Sequence, residues 1–334
     1  MYCRSIISAI SVIIALSGIN LCRAEDSSSK IGKASSGFIT YTLPNGNVYR
    51  VAAQKGSKPL NITQKLKKLA KGKKDEWIST SPDGKWFVLN TTRFDKECKG
   101  WECLSIVNKD FSSGKAVRSD GNVVHPEGNS AVASSGKLIV YPAGDGTHTQ
   151  DLWAISLTGT ENNWSAPVLL TADSDFEWNS MPAISNDGTK VVFDCGDEPY
   201  GANGTSICEV GTDGTGFRTV LTPADSPEGY SDTGALHHPD YAPDGGIVFE
   251  GEWNDNEQIW RLSPGADVPE LVNNDFTNDN SPCVLPDGKI ASLWLNRPNS
   301  SGYHELKIMD SNGENYKMIL INVDVADIGI SCNQ

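Results

Sequence analysis

Two adjacent histidines, His237 and His238, are the residues of this sequence best placed to do chemistry. An imidazole titrates near neutral pH, and it can accept a proton, coordinate a metal ion or donate a hydrogen bond to a ligand oxygen. We predict that both are catalytic residues and ligands of a divalent metal, with Ca²⁺ and Mn²⁺ as the candidate ions. The alternative is that they only hydrogen-bond a neighbouring loop.

Further polar and aromatic residues lie in comparable connecting segments and predict a ligand-binding surface. The predicted ligand contacts are His125, His148, His304, Trp77, Trp178 and Glu177. Aromatic rings cover the apolar faces of sugars, and carboxylates and imidazoles bind hydroxyl groups, so this combination is typical of a carbohydrate site. Rim packing is the alternative for these tryptophans, whereas Trp86, Trp153 and Trp260 lie within expected strands and are assigned to the core.

A repeat that runs through the chain must position these residues. The turn Ser81-Pro82-Asp83-Gly84-Lys85 recurs in complete or degenerate form, with its glycine at positions 84, 136, 188, 245 and 288. Each glycine precedes an apolar run of strand length, and further strands follow. Four short strands in units of about 50 residues are typical of β-propeller blades.

The repeat predicts an all-β, six-bladed β-propeller of four-stranded antiparallel blades, forming a single domain over residues 25–334. The inner strands are expected near 77–81, 130–134, 180–185, 238–242, 281–285 and 325–330. The first unit lacks its own inner strand, so segment 325–330 is expected to complete blade one and close the ring, which removes an open sheet edge. Ile62, Leu66 and Leu69 predict a short helix in the lysine-rich segment that follows.

The propeller topology places the candidate residues on one face of the ring. Connections into each inner strand, and between the second and third strands, open on the face opposite the Asp-Gly turns; we call this the loop face. All five histidines fall on it. Counting back from the turns makes His238 equivalent to Trp77, Met181 and Ser281 of other blades. Because inner strands line the channel, we expect at least one of the paired histidines at the channel mouth.

The N-terminus and the cysteines indicate an oxidising compartment. Residues 1–24 contain an apolar run from Ile6 to Leu21 and are typical of a signal peptide, which predicts a secreted, extracellular protein that is periplasmic in a bacterium. Six cysteines then remain, and their spacing favours disulfides within the pairs Cys98 and Cys103, Cys195 and Cys208, and Cys283 and Cys332. Sequons at Asn61, Asn90, Asn163, Asn203 and Asn299 predict a glycoprotein if the host is eukaryotic.

The charge of the chain argues against two classes of partner. The net charge is −14, and removal of residues 1–24 takes away Arg4 and Arg23, which leaves −16. Such an acidic surface disfavours nucleic acid and anionic membranes. We expect a monomer that binds a polar small molecule or a glycan, including an anionic one.

At the repeats, the sequence resembles the TolB-like, or WD40-like Asp-Gly-Lys, family of β-propellers. The resemblance rests on the turns Ser81-Pro82-Asp83-Gly84-Lys85, Pro286-Asp287-Gly288-Lys289 and Ser134-Ser135-Gly136-Lys137. A more distant likeness is to oligogalacturonate-lyase-type propellers, in which histidines hold a metal at the mouth. These resemblances imply the fold over nearly all of the mature chain, but they leave the function open.

Three functions are compatible with the sequence. The first is a secreted binding module for a polar ligand, with carbohydrate as the leading candidate. The second, implied by the lyase likeness, is a metal-assisted uronate lyase in which a cation stabilises the enolate and an imidazole removes the C5 proton. The third is a protein-docking platform. Whether the chain is an enzyme stays open.

Overall fold

The computed structural model describes residues 37–72, 74–144, 148–159, 163–198, 204–253, 256–272, 278–295, 304–326 and 329–334. These residues form six four-stranded antiparallel sheets, which confirms the predicted all-β, six-bladed propeller. The predicted signal peptide lies in residues 1–36, outside the described residues, and stays a prediction. Among the described residues, no helix is long and apolar enough to cross a membrane.

The first three blades contain strands β1 to β13. Blade one contains β1 (Phe38–Thr42), β2 (Val48–Ala52) and β3 (Leu60–Asn61), and helix α1 (Ile62–Leu69) follows. Blade two contains β4 (Asp75–Thr80), β5 (Trp86–Thr91), β6 (Cys103–Asn108) and β7 (Gly114–Ala116), and a small ladder of β8 (Arg118–Ser119) and β9 (Asn122–Val123) follows. Blade three contains β10 (Ala131–Val132), β11 (Leu138–Ala143), β12 (Asp151–Ser156) and β13 (Val168–Leu169).

The last three blades contain strands β14 to β25. Blade four contains β14 (Trp178–Ile184), β15 (Lys190–Gly196), β16 (Ser206–Gly211) and β17 (Arg218–Leu221). Blade five contains β18 (Leu236–Tyr241), β19 (Ile247–Gly251), β20 (Gln258–Leu262) and β21 (Glu270–Leu271). Blade six contains β22 (Asn278–Val284), β23 (Ile290–Leu295), β24 (His304–Met309) and β25 (Lys317–Val323), and β26 (Ile330–Cys332) returns to blade one. Short 3₁₀ turns span Lys96–Lys99 and Pro223–Asp225.

The predicted turns and the predicted helix are both present. The five repeat glycines at 84, 136, 188, 245 and 288 all have positive φ, the conformation that the hairpin turns require. Ile62 and Leu66 are buried on the inner side of α1, and the side chain of Asn61 caps the helix by accepting a hydrogen bond from Gln64 N at 2.9 Å.

Apolar residues pack between neighbouring blades rather than within single sheets. One cluster joins Ile139 of blade three to Val88 of blade two, and another joins Phe249 of blade five to Val192 of blade four. Each sheet therefore depends on its neighbours for burial, and the ring must close for the first and last blades to be covered.

Strand β26 closes the ring by pairing with β1, as predicted, although its boundaries differ. Ile39 pairs with Cys332, and Tyr41 pairs with Ile330, whereas the sequence predicts the strand at 325–330. Gly329 explains the difference, because its φ of +73° turns the chain immediately before the paired residues. Val325 and Ala326 are not in a strand, residues 327 and 328 of the predicted segment lie outside the described residues, and the described strand begins at Ile330.

All three predicted disulfides are present, with S–S distances of 2.10, 1.97 and 2.13 Å. Cys283–Cys332 connects the inner strands of blades six and one, as expected. Cys195 and Cys208 are fully buried and join β15 to β16 across the connection between these two strands. Cys98–Cys103 closes part of the connection between β5 and β6.

Candidate functional site

Four inner strands carry a left-handed residue at the same position. Trp77, Met181, His238 and Ser281 have φ values of 50°, 50°, 51° and 49°. The pairing of each inner strand with its neighbour shifts at that point, which marks a β-bulge. Left-handed backbone is strained for side chains of this size, and such strain concentrates at functional sites. The equivalence predicted from the repeat is confirmed, and in blade five it puts an imidazole at the bulge.

The space available to a ligand lies at the mouth of the channel rather than within it. The inner strands of all six blades line a channel space of only about 70 Å³. Asp240 fills part of it, accepting hydrogen bonds from Val284 N and from Gln334 Nε2, each at 2.8 Å. Burial raises the pKa of Asp240 to about 7. A ligand larger than a few waters must therefore bind outside this space.

A cavity of about 620 Å³ opens beside the channel, between blades five and six, and we call it the mouth cavity. It is lined by His237, His238, Glu250, Glu252, Glu257, Asn280, Ser281 and His304, together with Gly204, Gly234, Ala235, Leu293, Leu295 and Ala326. A concave space of this size with convergent polar groups is the usual form of a small-molecule site.

Glu250 orients His238 in the mouth cavity. His238 Nδ1 lies 3.2 Å from Glu250 Oε2, and the same oxygen accepts a hydrogen bond from Ser281 N at 2.8 Å. The carboxylate favours the tautomer with its proton on Nδ1, which leaves a lone pair on Nε2. Nε2 is buried and has no hydrogen-bond partner among the described residues. It is therefore the ring nitrogen available to a ligand or a metal.

His237 points to the other side of its strand and is held by protein groups. Its side chain is 5% exposed; Nδ1 lies 2.9 Å from Thr205 Oγ1 and 3.4 Å from Asp194 Oδ2. Burial alone lowers the pKa of His237, but the hydrogen bond and the charge of Asp194 outweigh it and raise the pKa overall. These contacts match the alternative considered for the pair, a histidine bonded within the protein, so the catalytic and metal roles of His237 stay predictions.

Three carboxylates converge on the same cavity. Glu250 lies near the end of the buried strand β19, Glu252 follows this strand, and Glu257 precedes β20. Each offers a ligand atom, and these atoms all lie within 4.8 Å of one another. Asn280 of blade six donates from Nδ2 to Glu257 Oε2 at 3.0 Å. Because two of these side chains lie between β19 and β20 and one lies on β19, the fold of blade five brings them together.

The carboxylates perturb one another's ionisation. Burial, together with the charges of Glu250 and Glu252, raises the pKa of Glu257 to about 7. Burial also raises the pKa of Glu252. Burial acts in the same direction on Glu250, but the hydrogen bond and charge of His238 outweigh it, so the pKa of Glu250 is lowered. The site therefore holds negative charge that a bound positive group would stabilise.

The structure brings three of the five histidines together. His304, the first residue of β24, lines the mouth cavity with His237 and His238. His125 lies elsewhere, with Nδ1 2.9 Å from the Glu102 carbonyl oxygen. The ring of His148 lies 3.2 Å from the Asp151 carboxylate. The predicted ligand roles of His125 and His148 are therefore not at this cavity.

The predicted aromatic residues also lie outside the mouth cavity. Trp77 occupies the bulge of β4, and Trp178 is the first residue of β14, where it bridges to Gln150. The Glu177 carbonyl accepts a hydrogen bond from Gln150 N at 3.1 Å. The part of the cavity wall that the structure describes contains no Trp, Tyr or Phe ring. The stacking surface expected for a carbohydrate is thus not assembled there.

Sequence reasoning missed Glu250, although a signal was present. Glu250 follows Ile247-Val248-Phe249, where an apolar strand residue is expected, and it is 4% exposed. Asp194 occupies the matching place after Val191-Val192-Phe193 in blade four and is 3% exposed. A carboxylate at the inner end of a buried strand needs a partner. That requirement could have linked each acid to the neighbouring histidines.

Comparison with known proteins shows that this chain is similar in fold to several solved structures. TolB from Acinetobacter baumannii is 12% identical with a TM-score of 0.63, covering 89% of this chain and 67% of its own. A protein from Agrobacterium tumefaciens described as a TolB is 16% identical with a TM-score of 0.53, covering 85% and 88%. Kuenenia stuttgartiensis hydrazine synthase is 14% identical with a TM-score of 0.59, covering 89% and 46%. No family model and no curated protein matches the sequence.

The chain is thus a six-bladed β-propeller with a TolB-like fold, and the resemblance found in the repeats is confirmed at that level. At sequence identities this low, the likeness in fold does not indicate a shared function. The three disulfides indicate an oxidising compartment, and hence an extracellular or periplasmic protein.

Proposed function

We propose that this chain is an extracytoplasmic binding protein that holds a small polar ligand in the mouth cavity, through a positively charged group of that ligand or a divalent cation bound with it. The observation that carries the proposal is the convergence of Glu250, Glu252 and Glu257 within 4.8 Å on one wall of a 620 Å³ cavity. Carboxylates so close repel one another, and a cation between them relieves the repulsion.

The neighbouring imidazole of His238 helps to distinguish which cation would bind. Oxygen ligands alone suit Ca²⁺, whereas carboxylates combined with an imidazole nitrogen suit Mn²⁺ and related transition metals. His238 Nδ1 faces Glu250, and Nε2 is the ring nitrogen without a hydrogen-bond partner among the described residues. The two ions predicted from the sequence therefore remain the candidates, and they differ in whether His238 takes part.

The residues that line the cavity also determine which carbohydrates it can bind. Sugar hydroxyls can bind the carboxylates, Asn280 and Ser281, but an anionic uronate would meet three like charges unless a cation lay between them. Carbohydrate binding stays a prediction. For uronates, we predict that binding requires a cation.

The direct test is calorimetric titration of the purified chain with MnCl₂ and with CaCl₂, preceded by chelation and metal analysis. The variant Glu252→Gln/Glu257→Gln should lose binding, because it removes two charges but keeps the side-chain shape. The matched control is Glu270→Gln/Glu314→Gln, two exposed residues outside the cavity, which should bind like the wild type. No saturable heat with either ion, and none with small organic amines, would refute the proposal.

The lyase alternative has one observation in its favour. The unpartnered, buried His238 Nε2 lies in the same cavity as the carboxylates, so a base and a cation site would be close together. β-Elimination from oligogalacturonate creates a conjugated double bond that absorbs ultraviolet light. An absorbance increase that depends on added metal and on His238 would favour the enzyme over the binding protein.

A further inference from the structure

A second cavity, of about 780 Å³, lies on the loop face near blade two. We call it the basic cavity. It is lined by Ala70, Lys71, Gly72, Thr92, Arg93, Phe94, Asp95, Lys96 and Lys99. Its walls come from the segment after α1 and from the connection between β5 and β6. None of these residues belongs to the mouth cavity.

A buried ion pair gives the basic cavity a rigid wall. The Arg93 side chain is completely buried and forms two hydrogen bonds to Asp75, Nε to Oδ1 at 2.7 Å and Nη2 to Oδ2 at 2.9 Å. Its Nη1 donates to the Ala70 carbonyl at the end of α1, at 2.9 Å. The backbone of Gly72 passes so close that a Cβ there would lie 2.4 Å from Arg93 Cγ. Arg93 thus fixes the segment after the helix to blade two.

The acids around the cavity are partly neutralised, because one cation each, Arg118 and Lys74, is shared between two carboxylates. Asp75 pairs with Arg93, and Arg118 Nη2 binds both Asp95 at 2.6 Å and Glu97 at 3.1 Å. Lys74 pairs with Glu76 and with Glu102 in the same way, at 2.9 and 3.1 Å.

The lysines of the cavity are not neutralised. Lys71, Lys96 and Lys99 are exposed and form no ion pair within the described part of the chain, and the same holds for Lys65, Lys67 and Lys68 on α1. These six lysines outweigh the two carboxylate charges that Arg118 and Lys74 leave uncompensated, so the local charge is positive although the whole chain carries −14. A charge of this sign on an acidic protein favours an anionic ligand at this place.

The disulfide-closed loop that contains Lys99 also presents an exposed aromatic ring. The Trp101 side chain is 77% exposed, the largest value among the exposed large hydrophobic residues described. It lies two residues after Lys99, inside the loop closed by the Cys98–Cys103 disulfide. Arg118 holds the base of this loop through Asp95 and Glu97. The ring is thus displayed with little freedom to fold back onto the protein, which lowers the entropic cost of contacting a ligand.

We propose that the basic cavity and Trp101 form a binding site for an anionic polysaccharide, in which lysines neutralise sulfate or carboxylate groups and the indole covers the apolar face of a sugar ring. Lysine ammonium groups act as point charges and need no planar, bidentate partner. A concave cavity can hold part of a polymer chain, whereas a bilayer is flat and, if anionic, would be repelled by the rest of this surface. The ligand charge is opposite to that expected at the mouth cavity, so the two sites are independent.

The test measures binding of the full chain to dextran sulfate and to unsulfated dextran by surface plasmon resonance. We expect saturable binding to dextran sulfate alone, weakening as salt rises, because exposed charges are screened. Lys71→Gln/Lys96→Gln/Lys99→Gln should weaken binding by about tenfold or more. Trp101→Ala should also weaken it, with an unchanged Tm because the ring is exposed. Lys55→Gln/Lys137→Gln/Lys317→Gln has the same net charge at exposed positions outside the cavity and should bind like the wild type.

Three outcomes would overturn the proposal. Equal loss in both triple variants would mean that only net charge matters. If Trp101→Ala and the triple lysine variant of the cavity both bind dextran sulfate as tightly as the wild type, the polysaccharide binds elsewhere. Binding to vesicles containing phosphatidylglycerol, without binding to dextran sulfate, would identify a membrane surface as the partner instead.

Discussion

Glu250 Oε2 lies 3.2 Å from His238 Nδ1 and accepts a hydrogen bond from Ser281 N of the next blade at 2.8 Å. One carboxylate thereby joins the bulged inner strands of blades five and six. It also selects which nitrogen of His238 is free. Glu250, a buried acid, therefore organises the mouth cavity. Its Oε2 atom contacts the protein and does not need to contact the ligand.

The two adjacent histidines should respond differently to mutation. His238→Asn keeps a residue that tolerates left-handed backbone, so we expect little change in Tm and a loss of Mn²⁺ affinity of about tenfold or more. His237→Ala should lower stability by about 1–3 kcal/mol, because it leaves buried Asp194 without its imidazole partner. From the sequence alone, a ligand site at the channel mouth predicts a nearly unchanged Tm for His238→Ala and for His237→Ala. Thermal unfolding and calorimetry on the two variants distinguish these expectations, and an equally stable His237→Ala would contradict the structural assignment.

Stability should depend on pH through Glu257. Its pKa is raised by burial and neighbouring carboxylates from 4.5 to about 7, so the folded protein holds this proton more tightly than the unfolded chain. Wild-type stability therefore falls as pH rises from about 4.5 towards 7. Glu257→Gln removes this loss of stability. Its Tm should exceed that of the wild type at pH 8, and the difference in Tm should be much smaller at pH 5. Glu314→Gln, an exposed control, should follow the wild type throughout. A Tm difference independent of pH would rule out this coupling.

Gly329 should be required for the geometry beside Ser281. It has a φ of +73°, and an added Cβ would lie 2.6 Å from Ser281 Cβ. Gly56 has a φ of +82° with nothing within 4 Å of an added Cβ, so it is a matched control. Both alanine variants should lose about 1–2 kcal/mol from left-handed backbone. Only Gly329→Ala should lose more and weaken Mn²⁺ binding, as chemical denaturation and calorimetry would show. Identical behaviour of the two would mean that the contact is easily relieved.

The disulfide between blades six and one should contribute most to stability. Cys283 and Cys332 are 49 residues apart, whereas Cys98 and Cys103 are 5 apart. The chain-entropy model gives about 4 kcal/mol for the longer loop and about 2 kcal/mol for the shorter one. Cys283→Ala/Cys332→Ala should therefore lower the free energy of unfolding more than Cys98→Ala/Cys103→Ala does. Denaturant titration of the two variants measures the difference, and the reverse order would show that ring closure is held by β26 pairing alone.

Much of the fold could be predicted because its signals are local. The hairpin glycines require positive φ wherever they occur, and apolar runs beside them can only be buried strands. The closing strand was predicted in the correct blade but at 325–330 rather than Ile330–Cys332. The left-handed Gly329 delays its start, and a single glycine near a terminus does not reveal that conformation before the register with β1 is known.

The sequence by itself determined the propeller, its six blades, the closure by a C-terminal strand and the pairing of the cysteines. Tertiary structure alone decided which candidate residues meet. His237, His238 and His304 lie on neighbouring blades and share a cavity, whereas His125 and His148 belong to other parts of the ring. Glu250 is an unexpected acid in an apolar strand, but its partners His238 and Ser281 are brought to it only when the blades are assembled. The physical reason is that repeats specify each blade through short-range turns and periodicity, while a site between blades depends on how far the ring rotates from one blade to the next.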